Sequence, residues 1–488
     1  MTKNIAIIGS GIPLFLTALY IERTTRGLAY NINIYETTGA SSNNHYSAQK
    51  FSLSPDVRNF HKYLEFSEND FFSKVKPGFS LGQTYFGWTK KPYHLSFSNK
   101  SFQLLGQEIH TVFQHLTNNK QDLTFDQLCI GGHLSQLSRF TPPSAHKNSL
   151  FHVINYGYSV SEDRYLDYLK EKLLHINTTS SHLTYQTSTD DFDTLSKDRD
   201  LVIDVRTECV DVQKDQNDGQ LYRHNLCVDI DLNMASSKII RSDGNLIKLV
   251  STDTETGIAL YNKKATLSKN DLHLLAAEAP ELELEGAIFN KILNSEQTQK
   301  ITSNETSLDV WNDNIINLKR LNGLSTGLYY DRFWLLRLAL IELKKHWPNN
   351  ARTPSIADHY NAIMSEYAEE LDFIDHLHFH NNSSENTQLK TLIATHSRGG
   401  ALIELYQEEG RLPQVALRSM DGDKIFSLLQ ALAINNKKTS HYKFNIDKNA
   451  LIKELFTISE SFKTAALKAP TIKTYKQQLK SKSTEQSL

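Results

Sequence analysis

The chain has 488 residues, 39% of them hydrophobic, and a formal net charge of −2 at pH 7. That is enough apolar material for a large core spread over two or three lobes. The near-neutral balance excludes a general nucleic-acid binder, which needs a basic excess to displace counterions from phosphates. Cys129, Cys209 and Cys227 fall in no C-x-x-C or zinc-type spacing, so neither a disulfide framework nor a structural metal is expected and a reducing, cytoplasmic setting fits best. No charged-then-apolar leader opens the sequence, and no apolar run reaches the roughly eighteen residues of a membrane span, so neither export nor membrane insertion is expected.

The first predicted element is a strand over residues 4–8 that turns through Gly9-Ser10-Gly11 into an apolar helix running to Tyr20. This is the opening of a dinucleotide-binding βαβ unit. In such a unit the first glycine makes the turn, the second lets the backbone approach a pyrophosphate, and the third lets the helix pack close to the strand. Gly9 and Gly11 are present, but the third glycine is replaced by Leu14. The acidic residue that holds a ribose hydroxyl is expected about 20 residues further on, and Glu36 follows the second strand, residues 31–35. Gly9, Gly11 and Glu36 are thus candidate cofactor-binding residues of a vestigial kind, because Pro13 and Leu14 put bulk where phosphate would sit.

A polar loop follows, Thr37 to Gln49, and then a helix capped near Ser54-Pro55-Asp56. Residues 79–97 alternate aromatic and polar side chains and read as a hairpin. A strand over 153–158 leads to Ser161, which caps a helix beginning with Glu162 and Asp163 and ending near Leu174. Residues 200–204 form a short apolar strand of the kind that returns to a parallel sheet. Residues 221–265 read as antiparallel strands with turns at Ser242–Gly244 and Asp253–Gly257. An apolar helix spans Tyr330 to Trp347, a second helix spans 354–380, and 471–488, rich in Lys, Ser, Thr and Gln, is expected to be a disordered tail. The expected division is 1–350, a nucleotide-binding-like module interleaved with a substrate-side sheet, then 351–470, mainly helical.

Several runs in this order resemble one family. They are Asp56-Val57-Arg58-Asn59-Phe60 with Leu64, Glu68-Asn69-Asp70-Phe71, the stretch from Gly78 to Trp88, Tyr156-Gly157-Tyr158, Trp311-Asn312-Asp313-Asn314, and His346-Trp347-Pro348. Their colinear order resembles the flavin-dependent tryptophan halogenases. The resemblance implies an α/β chain with a Rossmann-type FAD-binding fold of the flavoprotein monooxygenase and halogenase kind, an antiparallel substrate sheet and a C-terminal helical part. It also implies reduced FAD that reacts with oxygen, and hypohalous acid that travels to a lysine presenting the electrophile to an aromatic substrate.

The residues at the family's chemical positions differ. The lysine's place in Phe79-Ser80-Leu81 is taken by Ser80, whose hydroxyl cannot form a chloramine. The Glu-Ser pair that assists the lysine corresponds to Tyr329-Tyr330. The Trp-x-Trp-x-Ile-Pro segment corresponds to residues 245–250, the Gly-Glu-Ala-Thr flavin loop to Lys50–Leu53, and the small turn after Asp204 to Val205-Arg206-Thr207-Glu208. The glycine-rich segment under the flavin ring corresponds to residues 318–323, with Lys319 and Arg320 in place of small residues. The family site therefore implies no retained catalytic residue and no bound cofactor, or FAD if any.

Tyr85, Trp88 and His94 occupy the substrate side and are candidate pocket residues, since aromatic rings can hold an indole or a peptide side chain without a cofactor. Asp372, Asp375, His376, His378 and His380 form the densest run of metal-type ligands, but their place at a helix C-terminus suits dipole compensation, and no metal is expected. Thr395–Gly400 reads as a loop. Two functions remain open. One is a non-catalytic partner or substrate-binding subunit, beside an active flavin enzyme or as a homo-oligomer, engaging a tryptophan-containing small molecule or peptide. The other is a working FAD-dependent halogenase or monooxygenase with a rebuilt pocket for an indole or other aromatic substrate.

Overall fold

The strand Lys3–Gly9 is buried from Ile5 onward and lies inside a six-stranded sheet. In the computed structural model the described residues are 2–37, 49–98, 104, 108–116, 123–206, 221–229, 231–242, 245–264, 267–278, 297–301, 308–321, 324–348, 354–379, 391, 393–413, 415–436 and 447–485. The sheet order is Trp311–Asn312, Ile315–Asn317, Leu201–Val205, Lys3–Gly9, Tyr30–Thr37, Leu183–Ser188, and every neighbour pairs in parallel except the first two strands. The helix Gly11–Thr25 crosses over between the first two parallel strands, as short βαβ connections require. Ile7, Leu14, Phe15 and Ile34 are wholly excluded from solvent, so this helix is part of the core. The strand at 200–204 returns beside Lys3–Gly9 as its apolar run implies.

A second sheet of seven strands runs Gln297–Ile301, Leu221–Val228, Thr256–Asn262, Asn245–Ser251, Ser237–Ser242, Gly82–Phe86, Tyr93–Ser96. Its strands are antiparallel apart from the parallel pairing of Ser237–Ser242 with Gly82–Phe86. The hairpin read from 79–97 is its edge. A third sheet joins Lys50–Leu53, Gly157–Ser161 and Gly78–Ser80 between the other two. The helix after Ser161 runs to Thr179, beyond the expected end near Leu174.

The helix Trp334–Lys345 carries Arg337, whose guanidinium has no solvent exposure. It is held bidentately by Asp331, with Nη1 to Oδ1 at 2.8 Å and Nη2 to Oδ2 at 2.9 Å, and its Nε donates to Asp56 Oδ2 at 2.9 Å. Ser54 belongs to this network through its bond from Arg337 and so does not cap the helix Asp56–Tyr63.

Two expectations are corrected here. The segment 471–488, expected to be disordered, forms the helix Ile472–Glu485. Ile472 is buried, the Tyr475 ring packs against Phe79 and Phe140, and Lys476 pairs with Asp231 at 2.8 Å. The cause is legible afterwards: Ile472, Tyr475 and Leu479 fall on one helical face, and they line the core while the polar residues cover it. The second correction is Thr395–Gly400. His396 precedes the helix Ser397–Glu409, and Gly399 is needed because a Cβ there would lie 2.4 Å from the Phe373 ring. Cys209, Thr207, Glu208, Asn322, Gly323, His380, the turn at 243–244 and the loop at 38–48 lie outside the described residues.

Candidate functional site

At the nucleotide end, Gly11 adopts φ +63°, the left-handed turn conformation a glycine supplies without strain. Gly9 has a packing reason of its own, since a Cβ would meet Val205 at 2.7 Å. Leu14 faces the core instead of the turn. Glu36 is already engaged: its Oε2 accepts from Lys170 Nζ at 3.1 Å and from the Tyr185 hydroxyl. After the strand Leu201–Val205, the Arg206 guanidinium folds back onto both Asp204 oxygens at 2.9 and 2.8 Å. Lys50 is buried, bonded to Ser161 Oγ and to Glu255, each at 2.8 Å.

A second cluster centres on the segment Thr326–Tyr329. Its carbonyls are answered one after another. Tyr261 donates to Thr326 O at 2.8 Å, Lys248 Nζ donates to Gly327 O and Leu328 O at 2.6 and 2.8 Å, and Gln83 Nε2 donates to Leu328 O and Tyr329 O at 2.7 and 2.8 Å. Thr326 N–H in turn donates to Asp375 Oδ2 at 2.9 Å. Buried backbone polar groups need such partners, so this cluster is the reason the segment can lie inside.

Low solvation dominates its titration. Burial, then the nearby Arg223 charge, pulls Lys248 down to about 7, and burial pushes Asp375 up to about 7 against the Thr326 hydrogen bond. His378, pulled down to about 4 by burial, meets the Tyr85 hydroxyl at 3.0 Å.

Ser80 ends the strand Gly78–Ser80 with no solvent exposure, and its Oγ donates to Gly82 O at 3.2 Å. Tyr85 is buried, donates to Gln83 Oε1 at 2.7 Å and packs edge-on against Trp88. Tyr85 and Trp88 are buried, and neither lines the two cavities beside this hairpin. His94 and Tyr329 do reach a cavity. One cavity of about 180 Å³ is bounded by His94, His110, Asp126, Cys129, Tyr329 and Asp423 among others. A neighbouring one of about 440 Å³ shares His94 and Asp126. His110, Asp126, Lys248 and Asp331 were not singled out from sequence; they come from distant segments, and no local motif marks them.

Asp372, His376 and His396 bring possible ligand atoms within 4.8 Å of one another. Asp372 already bridges both rings, at 2.8 Å to His396 Nε2 and 3.3 Å to His376 Nδ1, and its hydrogen bond lifts His376 to about 9. Asp375 and His378 point away from this cluster, into the buried centre.

Residues 4–191 match the sequence profile of the tryptophan halogenase family. No curated relative matches it by sequence. Its fold is similar to that of BrvH, a flavin-dependent halogenase from Brevundimonas sp. BAL3, with TM-score 0.76 and 12% identity over 98% of this chain and 99% of that one. It is also similar to a tryptophan halogenase from Shewanella frigidimarina NCIMB 400, with TM-score 0.72 and 15% identity over 98% and 97%. A third likeness is to SttH, a tryptophan 6-halogenase from Streptomyces toxytricini, with TM-score 0.72 and 14% identity over 97% and 99%. The Rossmann-type, FAD-binding architecture expected of the halogenase family is thus the fold of this chain. FAD is the cofactor of the flavin-dependent halogenases it resembles. Lys170 and Tyr185 both engage Oε2 of Glu36, and its Oε1 is the oxygen that could accept a ribose hydroxyl, so Glu36 would be the residue to hold that group. Among the described helices none is long and apolar enough to cross a membrane.

Proposed function

We propose that this halogenase-family chain is a non-catalytic partner or substrate-binding subunit, which has kept the family scaffold and set aside its flavin chemistry. Ser80 carries the reading: the strand position that bears the family's lysine ends here in a buried hydroxyl turned onto a backbone carbonyl. No amine at that position can receive hypohalous acid. Its ligand would be a small aromatic or indole-bearing molecule, or a peptide carrying one, and its partner an active flavin enzyme or a second copy of the chain. The test is a flavin titration followed by mass spectrometry. Purified protein is expected to be colourless and to bind added FAD no tighter than high micromolar, about −6 kcal/mol or weaker. With halide, oxygen and a flavin reductase it should give no halogenated tryptophan. A stoichiometric flavin spectrum or a halogenated product would overturn the proposal.

One observation favours the alternative, a working FAD-dependent halogenase or monooxygenase with a rebuilt pocket. Lys248 is a buried amine at the foot of the Tyr329 segment, and burial holds it near neutrality at pH 7. Both of its carbonyl partners belong to that segment, which gives it a positioning duty already. The alternative gains only if halogenation is detected and Lys248→Met abolishes it while leaving flavin uptake intact.

A further inference from the structure

Away from the flavin end and the Tyr329 segment, metal-type side chains converge at one further place. The sequence groups His376 with Asp375, His378 and His380. The fold instead brings it to Asp372, one turn back on the helix Pro354–Phe379, and to His396, the residue that opens the helix Ser397–Glu409. One nitrogen of each ring and an oxygen of Asp372 lie within 4.8 Å of one another. His376 Nδ1 stands 3.3 Å from Asp372 Oδ1, close to the ligand–ligand edge of a tetrahedron with metal–nitrogen bonds of about 2.0–2.1 Å. Their i, i+4 step is the spacing by which two side chains of one helix share an ion.

The His396 ring is fixed from behind. The Thr395 hydroxyl donates to Thr391 O at 3.0 Å, so toward His396 Nδ1, also 3.0 Å away, it accepts. Nδ1 therefore carries a hydrogen, and on a neutral ring Nε2 is a lone pair. That lone pair meets Asp372 Oδ2 at 2.8 Å. Two acceptors do not face each other at that distance with nothing between them, so either a proton or a metal cation joins them. A ring whose far nitrogen is held by an oxygen is how a metal site orients its histidines. The His396 side chain is 8% exposed and packs against Phe373, whereas that of His376 is 48% exposed. His376 Nδ1 lies 2.8 Å from Asp372 O, a contact the ring would give up as it turned onto an ion. The C-terminal end of the first helix favours a cation here and the N-terminal end of the second opposes it, so the carboxylate of Asp372 tips the balance. The neighbouring Arg398 faces Glu366 and Glu370.

We propose that Asp372, His376 and His396 form a binding site for a divalent transition-metal ion of the zinc class, with water completing a tetrahedron. Two ring nitrogens and one carboxylate oxygen suit Zn²⁺ or Co²⁺, whereas Ca²⁺ and Mg²⁺ ask for oxygen ligands throughout. Bound there, the ion ties the end of one C-terminal helix to the start of the next. The site uses none of the residues on which the proposed function rests.

The full chain, stripped with EDTA and titrated with Zn²⁺ against a chromophoric chelator, tests it. One ion per chain is expected, with a dissociation constant of about 10 μM or tighter at about pH 8. Co²⁺ in its place should give the intense visible absorption of a tetrahedral ion. His376→Ala, His396→Ala and Asp372→Asn should each weaken Zn²⁺ about tenfold or more. His175→Ala, at an exposed histidine on the helix Glu162–Thr179, should leave binding unchanged. Excess Zn²⁺ should also raise the urea midpoint of the wild type and not that of His376→Ala. If His396→Ala does not fold, His376→Ala decides, because its ring is half in solvent. Uptake no tighter than about 1 mM, or uptake that His376→Ala leaves unchanged, overturns the proposal.

Discussion

The buried centre around Thr326–Tyr329 and the cavity lined by His110 and Asp126 share Tyr329 as a wall, yet they differ in how far their polar groups are paired. In the centre, Lys248, Gln83, Tyr261 and Asp375 answer the backbone group by group. Beside the cavity, Asp126 Oδ1 and His110 Nε2 have no hydrogen-bond partner. The centre's backbone carbonyls each have a donor, and Asp375 Oδ1 is the oxygen there without a partner, so the two regions differ in degree.

The contrast can be broken most sharply from the closed side. Arg337→Met strips the wholly buried Asp331 carboxylate of its bidentate partner and should cost about 3–5 kcal/mol, read by urea unfolding. Lys248→Met leaves Gly327 O without its donor and should cost about 1–3 kcal/mol near pH 9. Its deficit has a pH signature. Between about 7, where folded Lys248 titrates, and the unfolded value near 10, the unfolded chain binds more protons, so wild-type stability rises with pH by up to about 1.4 kcal/mol per unit. The variant lacks that rise, and its deficit should shrink as pH falls toward 7.

Asp375→Asn should show the opposite trend. The folded carboxyl titrates at about 7 and the unfolded one near 4, so wild-type stability is lost as pH climbs through that window. Measured against wild type, the asparagine variant should gain steadily from pH 4 to 7. A flat difference would mean that Asp375 is hydrated in solution. On the open side the expected effect is smallest. Asp126→Asn keeps an oxygen for His94 N–H and removes an unanswered carboxylate oxygen, so stability should move by less than about 1 kcal/mol. A loss comparable to that of Lys248→Met would erase the distinction between the two regions.

Much of the scaffold was legible because it rests on local pattern. The Gly9–Gly11 turn, the strand ending at Asp204 and the antiparallel run from 221 each follow from periodicity and turn residues within a short window. The site was less legible. Nothing in the sequence around Ser80 announces its burial or its bond to Gly82 O. Tyr85 and Trp88 read as pocket residues, because an aromatic stripe looks the same whether it faces a ligand or His378. His110, Asp126 and Asp423 meet only through the packing of three separate segments, and no spacing along the chain encodes that. The helix Ile472–Glu485 was hidden by composition: three apolar residues among many polar ones suffice when a prepared aromatic surface receives them.

That helix has a consequence for the order of assembly. Phe79 stacks on Phe140 and is closed over by Tyr475, while Thr471 bridges to Arg139 and Lys476 reaches Thr252 O and Asp231. A strand made early is thus completed by a segment made very late, and the long loop between them must close before either gains its neighbours. During synthesis the Phe79–Phe140 surface stays bare until residue 475 has emerged. A chain that ends before residue 475 would carry an uncovered aromatic face, the kind of surface that chaperones hold and proteases clear.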